Sequence, residues 1–315
     1  MLTILLPTYN GAAFINECIA SILIQDFKDF ELLIIDDCST DDTIGVINSF
    51  RDERIRIIKN EKNVGLAMSL NIGIRESSFD LIVRIDQDDI MFSDRLSKTV
   101  EAFHKNSYCA LVFSAADIIN SAGARIGFFH LSKNKRRVKF LLIFINPFIH
   151  SSASFKKNHS SSLFEYDSSS KYSPPEDFEL WSRLILIEKV DFKVIDKALV
   201  KYRFTTDSYS RTNSELNQHA GNICERNINK LTDGMYGESF VSNISQRLYG
   251  KNSYSKINYL SLLKFLFRIN RSVNHDFKIL DMIFIIEILV RLILSPKLKF
   301  SINKLIGFRN LIRYR

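Results

Sequence analysis

The sequence predicts an α/β fold in which helices cover both faces of a mostly parallel sheet, followed by a helical C-terminal extension. Two observations support this fold class. Apolar runs of strand length alternate with segments of helical periodicity over the first 115 residues, and from about Asn213 the pattern is almost entirely helical. With 315 residues, 46% of them apolar and 25% charged, the chain can form one large globular domain plus an appendage.

The N-terminal elements alternate regularly. The predicted strands are Leu2–Pro7, Phe30–Ile35, Ile55–Ile58, Leu81–Ile85 and Ala110–Ala115. The predicted helices are a segment with Ile15, Cys18, Ile19 and Ile22 on one face, then Ile44–Phe50, Ala67–Arg75 and Asp94–His104. Strands that alternate with helices indicate a parallel sheet, because each helix carries the chain back to the start of the next strand.

The alternation stops after residue 115. The chain then contains, in order, a hairpin at Ser121–Gly123, a basic cluster at Lys133–Lys139, a serine-rich loop at Ser160–Ser173, a helix at Glu176–Leu186, and strands at Val190–Ile195 and Ala198–Arg203. We therefore predict a first domain at 1–212, divided into halves 1–115 and 116–212, and a helical, basic region at 213–315.

The formal net charge of +8 and the isoelectric point near 9.2 indicate an anionic partner, which could be a nucleotide, a nucleic acid or a membrane surface. The sequence carries no RNA-recognition, zinc-finger or helix-turn-helix pattern, which argues against a nucleic-acid binder. The four cysteines form no CxxC pair, and the N-terminus has no signal-peptide pattern. We therefore predict a cytoplasmic protein.

Polar and acidic clusters follow three of the predicted strands, at Thr8–Asn10, Asp36–Asp41 and Asp86–Asp89. The carboxyl ends of parallel strands share one sheet edge, so these clusters should converge. Crowded carboxylates repel one another unless a cation lies among them, and oxygen-only ligands suit Mg²⁺ or Mn²⁺. Alternation along an extended segment would place Asp86 and Asp88 on one side. The competing interpretation is that acidic turns such as Asp41–Asp42 only cap helices.

A further acidic pair, Glu176–Asp177, follows two prolines and opens a predicted helix with Trp181 on its inner face. A carboxylate in a partly closed site can accept a proton from an attacking hydroxyl. The residues leave a second interpretation open, which is ordinary stabilisation of a helix N-terminus, worth roughly 0.3–1 kcal/mol.

Together these segments resemble the inverting glycosyltransferases of family 2, which have the GT-A fold, over roughly the first two-thirds of the chain. The matching segments are Pro7–Asn10, Asp36–Asp41, Asn63–Gly65 with Asn71, Asp86–Asp89 and Glu176–Asp177. The resemblance implies that Asp177 is the general base and that Asp88 holds Mn²⁺ or Mg²⁺. It also implies a nucleotide-sugar site formed by Pro7, Thr8, Tyr9, Asp37, Asn63, Gly65 and Asp86. On the acceptor side it implies Glu176, Trp181 and His150.

By the same resemblance, the chain transfers a sugar from a nucleoside-diphosphate sugar, with a UDP-sugar favoured, to a glycan or lipid-linked acceptor in bacterial surface polysaccharide or lipopolysaccharide biosynthesis. The alternatives are a nucleotidyltransferase, which would normally have a Gly-rich loop in place of Thr8–Asn10, and a phosphotransferase with the same Asp-rich metal site. One position departs from the family. Thr205 stands where members often have a metal-binding or phosphate-binding histidine. The metal would then be held either by Asp88, phosphates and water alone, or with a contribution from His150.

The last third of the chain combines apolar and basic residues. Phe277–Ser295 is apolar, but Asp281, Glu287 and Arg291 interrupt it, so it does not predict a spanning helix. Basic and apolar residues then alternate to Arg315, a mixture typical of helices that lie in an anionic membrane interface. We predict peripheral binding to the inner face of the cell membrane. Packing on the catalytic domain or on a second subunit is the alternative.

Overall fold

The computed structural model describes residues 1–157, 161–169, 174–204, 215–249 and 258–274. The strands in these ranges are β1 Leu2–Thr8, β2 Phe30–Asp36, β3 Ile55–Lys59, β4 Leu81–Arg84, β5 Ile90–Met91, β6 Leu111–Ile119, β7 Arg125–Phe129, β8 Ser154–Lys156 and β9 Phe192–Arg203. They form one sheet in the order β3-β2-β1-β4-β8-β6-β9-β5, with β7 paired to β6. Six of these described strands, β1 to β4, β6 and β9, run in one direction. The predicted mostly parallel α/β fold is therefore confirmed.

The described helices lie where the helical periodicity predicts them, except the one at Lys135–Leu142, which forms in the basic cluster where no helix was predicted. They are α1 Ile15–Leu23, α2 Thr43–Asn48, α3 Leu66–Glu76, α4 Arg95–Lys105, α5 Lys135–Leu142, α6 Glu176–Ser182, α7 Leu216–Thr232, α8 Glu238–Tyr249 and α9 Tyr259–Val273. The α6 helix continues directly into a π-helical turn at Arg183–Ile187. It therefore spans the same stretch as the predicted helix at Glu176–Leu186.

Alternate residues of the central strands point into two separate apolar cores. Leu5 and Leu33 pack on the face covered by α3, and Leu6 and Ile34 pack on the face covered by α1. This division follows from the two-residue period of a strand, which sends successive side chains to opposite faces. Strands buried on both faces read as continuous apolar runs, which is why β1 and β2 stand out in the sequence.

The second half of the sheet is mixed, as the break in the pattern after residue 115 indicated. The β8 strand is antiparallel to both of its neighbours, β4 and β6. The β7 strand returns along β6 through the predicted hairpin, in which the Asn120 N–H donates to the Ala124 carbonyl at 2.9 Å. Gly123 has a φ of 79°, a conformation that glycine adopts without steric cost.

The prediction of two strands at Val190–Ile195 and Ala198–Arg203 was wrong, because β9 is one continuous strand. It pairs with β6 along its length, but the register shifts where Ser114 pairs with Ile195 and Ala115 pairs with Ala198. The two residues between, Asp196 and Lys197, are exposed on this bulge. A solvated polar pair inside a strand breaks the apolar alternation in the same way as a turn does.

The described part of the C-terminal region packs on the sheet domain. Ile223 of α7 and Phe265 of α9 belong to the same apolar core as the α3 face of the sheet, and the Phe265 ring lies 6.5 Å from that of Phe144. None of the described helices has both the length and the apolar character needed to cross a bilayer. Thr205, Phe277–Ser295 and the basic tail lie outside the described residues.

Candidate active site

The polar loops after β1, β2 and β4 meet at one edge of the sheet. Gln87 joins two of them: the Thr8 hydroxyl and the Tyr9 N–H donate to its Oε1 at 2.5 and 3.0 Å, and its Nε2 donates to the Tyr9 carbonyl at 3.1 Å. The third loop, which follows β2, is joined to the first because the Asp37 N–H donates to the Thr8 carbonyl at 2.8 Å. Pro7 is buried within β1, whereas the Tyr9 side chain is 44% exposed. Tyr9 is therefore open to a ligand.

Asp37 fixes the loop before α3. Its Oδ1 accepts hydrogen bonds from the Asn60 side chain and the Val64 N–H, and its Oδ2 accepts one from the Gly65 N–H, each at 2.8 Å. Gly65 has a φ of 87°, which an L side chain rarely adopts, so the turn requires glycine. Asn63, between these anchors, is exposed. The carboxylate of Asp37 thus holds the neighbouring loop between β3 and α3, and the exposed group beside it is Asn63 of that loop.

Asp41 and Asp42 behave differently from the other acidic residues. The Asp41 carboxylate accepts hydrogen bonds from the Thr43 N–H and the Ala12 N–H, both at 3.1 Å. Asp42 precedes α2 and makes no side-chain capping bond. Asp41 therefore stabilises the start of α2 and the loop after β1, as the capping interpretation proposed.

A buried arginine neutralises Asp86. Arg84, at the end of β4, is 1% exposed, and its guanidinium forms a two-pronged ion pair with the Asp86 carboxylate. Ser151 completes the arrangement: its hydroxyl donates to Asp86 Oδ2 at 2.8 Å and accepts from Arg84 Nη1 and the Asp86 N–H, both at 3.1 Å. Such a fork fixes the plane of the carboxylate.

The Asp86–Asp89 segment is a turn, so the expectation of an extended segment was wrong. The Asp89 N–H donates to the Asp86 carbonyl at 3.2 Å. Arg203, at the end of β9, holds the turn: its N–H donates to Asp89 Oδ1 at 2.7 Å, and its Nε donates to the Asp88 carbonyl at 2.8 Å. Tertiary contacts from a distant strand therefore decide the shape of this segment, and strand alternation does not apply to it.

The turn gathers three carboxylates. Asp86, Asp88 and Asp89 each offer an oxygen within 4.8 Å of the others, and they are the one such metal-competent group among the described residues. Burial and then the neighbouring Asp86 raise the pKa of Asp88 to about 6, and burial followed by Asp88 raises the pKa of Asp89 well above its usual value. Asp89 Oδ2 is buried without a hydrogen-bond partner. This crowded set of oxygens fits a divalent cation such as Mg²⁺ or Mn²⁺.

The second acidic pair opens α6, as predicted. Asp177 Oδ2 accepts a hydrogen bond from the Asn146 side chain at 2.7 Å. Burial raises the pKa of Asp177 to about 6, and burial together with Asp177 raises the pKa of Glu176 to about 7. Arg84 lowers both values and Asp86 raises them, so the two acidic clusters are close enough to interact electrostatically.

His150 and Trp181 support this second pair. His150 Nε2 lies 2.8 Å from the Tyr166 hydroxyl, and its Nδ1 lies 3.8 Å from Glu176 Oε1. Burial and then Arg84 lower the pKa of His150 well below its usual value, so the ring is neutral near pH 7. Trp181 is fully buried, with its ring edge-on to Phe113 at 5.2 Å. It lies in the core beneath α6 rather than in open space.

Sequence reasoning assigned no individual role to five residues that shape the site: Arg84, Gln87, Asn146, Ser151 and Arg203. Only Arg84 left a signal, because a charged residue within the apolar run Leu81–Ile85 must find a partner when it is buried. The others lie far along the chain from the residues they bind. Their contacts depend on the topology of the sheet.

A mostly parallel sheet with a carboxylate turn at its carboxyl edge is the architecture of the GT-A glycosyltransferases. The chain belongs to one family among them: the sequence model of Glycosyl transferase family 2 matches residues 3–163. It is thus a glycosyltransferase, as the sequence predicted.

Curated relatives and solved structures agree with this assignment. The chain is 29% identical over 212 residues to the putative glycosyltransferase EpsE of Bacillus subtilis, which covers 66% of this chain and 75% of EpsE. It is 31% identical over 121 residues to the UDP-Glc:α-D-GlcNAc-diphosphoundecaprenol β-1,3-glucosyltransferase WfgD of Escherichia coli, covering 38% of this chain and 47% of WfgD.

Two solved structures share the fold. S. aureus TarS 1-349 in complex with UDP-GlcNAc has a TM-score of 0.57 at 16% identity, covering 98% of this chain and 89% of that one. The mannosyltransferase PcManGT from Pyrobaculum calidifontis, in complex with GDP-Man and Mn²⁺, has a TM-score of 0.52 at 15% identity, covering 97% and 84%.

Proposed function

We propose that this chain is an inverting glycosyltransferase that moves a sugar from a nucleoside-diphosphate sugar, with a UDP-sugar favoured, to a hydroxyl of a glycan or lipid-linked acceptor. One observation carries the proposal: the short 3₁₀ turn His150–Ser152 contacts both acidic clusters, with the Ser151 hydroxyl donating to Asp86 Oδ2 at 2.8 Å and His150 Nδ1 lying 3.8 Å from Glu176 Oε1. A displacement at a sugar carbon needs one group at the leaving side and another at the attacking side.

The donor would bind at the loops joined by Gln87. In our proposal its nucleoside contacts Pro7, Thr8, Tyr9, Asp37, Asn63 and Gly65, and its ribose or phosphate approaches Asp86. The exposure of Tyr9 and Asn63 supports this, since both offer contacts that the protein itself leaves open. The UDP-GlcNAc bound by TarS and the GDP-Man bound by PcManGT support a nucleotide sugar as the class of donor.

Asp88 would hold the metal ion. No other described residue donates a hydrogen bond to its carboxylate, whereas Asp86 is paired with Arg84 and one oxygen of Asp89 accepts from Arg203. A bound divalent cation would neutralise the charge that develops on the leaving nucleoside diphosphate. The Mn²⁺ in PcManGT supports this assignment.

Asp177 would act as the base on the acceptor side. As the acceptor oxygen forms its bond to the anomeric carbon, its proton passes to Asp177, and the bond from that carbon to the diphosphate oxygen breaks on the opposite face. Asn146 holds one carboxylate oxygen of Asp177 in place. A pKa of about 6 leaves the group ionised near neutral pH and more basic than an ordinary aspartate, which suits a general base. Glu176 and His150 would border the acceptor, with Trp181 beneath them.

The biological setting follows the relatives. WfgD, which builds on a diphosphoundecaprenol-linked sugar, supports a lipid-linked acceptor and a role in bacterial surface polysaccharide or lipopolysaccharide assembly. The nucleotidyltransferase and phosphotransferase alternatives are not favoured, because the chain belongs to a glycosyltransferase family.

Thermal shift with nucleotides tests the proposal. Melting temperatures would be measured with UDP, GDP, CMP and dTDP, each with and without Mn²⁺, for the wild type, Asp88→Asn and the exposed control Asp80→Asn. We expect one nucleoside diphosphate to stabilise the wild type and the control only when Mn²⁺ is present, because a ligand that binds only the folded state raises its stability. Asp88→Asn should lose that shift. Indifference of the wild type to all four nucleotides would refute the proposal.

We also propose that the enzyme works at the cytoplasmic face of the membrane. The α9 helix supports this, because Lys264, Arg268 and Arg271 are exposed along its outer side. The wild type should co-sediment with phosphatidylglycerol vesicles more than with phosphatidylcholine vesicles, and replacement of these three residues by glutamate should weaken the difference. Equal sedimentation with both lipids would contradict this.

A further inference from the structure

The C-terminal helix α7 contacts both ends of α6, the short helix that carries Glu176 and Asp177. At the start of α6, His219 Nδ1 lies 3.0 Å from the Pro174 carbonyl oxygen. At its end, Arg226 Nη2 donates to the Ser182 hydroxyl at 2.7 Å. Both α6 and α7 lie beyond residues 3–163, which match the family model, and α7 contacts the segment on which the proposed base is mounted.

A buried ion-pair network joins the two helices between these contacts. Glu179 of α6 is 2% exposed, and its Oε1 pairs with Arg226 and also accepts from Arg183 Nε at 3.1 Å. The rest of the Arg183 guanidinium donates to two backbone carbonyls of segment 163–165, at 2.8 and 2.7 Å. The next residue, Tyr166, is the hydrogen-bond partner of His150. The network therefore ties α7, α6 and the residues behind Glu176 into one unit.

The α6 helix depends on such contacts for its position. It has seven residues, extended only by the five-residue π-helical turn, and no side chain caps its N-terminus. A helix of this length is not stable by itself in water, so tertiary contacts fix its place. Asp177 must also be placed accurately, because a misplacement of about 1 Å can cost on the order of 100-fold in rate.

We infer that α7 positions the proposed catalytic base. Arg226 and His219 are positioning residues that hold α6 so that Asp177 faces the acceptor. The α7 helix thus contributes to the acceptor side of the site. This inference rests on the proposed function only for the role of Asp177. The mechanical part, that α7 holds α6, can be measured independently.

The single tryptophan of the chain provides that measurement. Trp181 is the only tryptophan among the 315 residues, lies on α6 and is fully buried. Acrylamide quenching of its fluorescence would be compared between Arg226→Ala and Lys230→Ala, a control at an exposed position on the same helix. We expect quenching to rise at least twofold in Arg226→Ala, to remain at the wild-type level in Lys230→Ala and to be partly restored in Arg226→Lys.

Activity and nucleotide affinity complete the test. The probes are UDP-glucose and UDP-GlcNAc with Mn²⁺ and water as acceptor, followed by UDP release, and UDP itself for affinity. Arg226→Ala should lower kcat about tenfold while the Kd for UDP changes less than twofold. Unchanged quenching, unchanged kcat, or equal losses in kcat and UDP affinity would each overturn the inference. If Arg226→Ala does not fold, His219→Phe is measured in its place by the same criteria.

The two proposals fail in different ways. A wild type that binds no UDP and releases none would refute the proposed function, while the quenching comparison would still decide whether α7 holds α6. A wild type that binds UDP and hydrolyses the donor, together with an Arg226→Ala variant of normal rate, would refute the positioning role alone.

Discussion

The two acidic clusters of the site are stabilised in different ways. The donor-side turn is surrounded by buried arginines: Arg84 pairs with Asp86, and Arg203 binds the turn that carries Asp88 and Asp89. On the acceptor side, no arginine or lysine among the described residues forms an ion pair with Glu176 or Asp177. Asp177 accepts hydrogen bonds from the Asn146 amide and the Phe178 N–H, and Glu176 lies near a His150 ring kept neutral by burial.

This difference indicates what each cluster requires to function. The donor-side carboxylates repel one another at close range, and the other described residues leave the Asp88 carboxylate and one oxygen of Asp89 without a hydrogen-bond donor. A metal cation can neutralise that excess of negative charge. On the acceptor side, burial is the main cause of the raised pKa values of Glu176 and Asp177. Their negative charge is neutralised when they bind a proton. The first cluster should therefore respond to metal as well as to pH, because the pKa of Asp88 is also about 6, whereas the second should respond to pH alone.

The largest effect is expected for Asp177→Asn. An amide cannot accept the proton of the attacking hydroxyl, so kcat should fall by roughly 10²–10⁴-fold. Affinity for UDP with Mn²⁺ should stay within a few-fold of the wild type, because the donor side is untouched. In the wild type, kcat/KM should fall as pH drops below about 6, where Asp177 and, without metal, Asp88 gain their protons. Isothermal titration and UDP-release rates would measure these quantities.

The exposed residue Asp29 supplies the control, since Asp29→Asn changes the same chemical group away from the site. A folded Asp177→Asn enzyme with the wild-type kcat would remove Asp177 from the mechanism. A large loss of UDP affinity would show instead that the two clusters do not act separately.

A smaller effect is expected where the two clusters are joined. The short 3₁₀ turn His150–Ser152 sends His150 to the acceptor side and Ser151 to the donor side. Ser151→Ala removes the hydroxyl that binds both Arg84 and Asp86, and the loss of a hydrogen bond to a charged group costs about 1.5–3 kcal/mol. We expect kcat/KM for donor hydrolysis to fall about 10–100-fold.

The neighbouring residue is a matched control for this prediction. Ser152 is equally buried, but its hydroxyl donates only to the Ile149 carbonyl, at 2.8 Å. Ser152→Ala should therefore lower stability without a selective loss of rate. Equal rates in the two variants would mean that the Asp86 fork does not contribute to donor use.

The sequence predicted the framework of the molecule better than the fine structure of its site. Strands such as β1 and β2 are buried on both faces and leave nearly continuous apolar runs, so their order and the meeting of their loops follow from simple rules. The shape of the Asp86–Asp89 turn does not follow, because it depends on Arg203, more than a hundred residues away. The β9 strand was predicted as two strands for a related reason. A polar pair of residues looks the same in the sequence whether it lies in a bulge or in a turn.

The acceptor side shows the same limit. The sequence places Glu176 and Asp177 at the start of a helix, because the prolines and the acidic first turn are local signals. It cannot show that Asn146 binds Asp177 or that Arg226 reaches Glu179, since such contacts arise only when distant segments pack together. Roles that depend on partners were therefore harder to predict than the positions of the residues themselves.

The smallest predicted effect concerns stability and separates burial from metal binding. The folded-state pKa of Glu176, about 7, lies above the roughly 4.3 expected in the unfolded chain. Between these values the folded state holds a proton that the unfolded state has lost, so the free energy of unfolding falls as pH rises through this window. Glu176→Gln resembles the protonated acid, so it should leave the melting temperature unchanged near pH 4.5 and raise it at pH 8.

The expected gain at pH 8 is on the order of 1–3 kcal/mol, or several degrees in a chain of this size. Differential scanning calorimetry in the absence of metal would measure it, with Glu188→Gln as the control at an exposed position of the same segment. The gain should persist when Mn²⁺ and UDP are added, because burial rather than the carboxylate turn is the main cause of the raised pKa. An increase in stability of the same size at both pH values, or one that vanishes when Mn²⁺ is added, would contradict this. It would mean that protonation of Glu176 does not neutralise the acceptor-side charge.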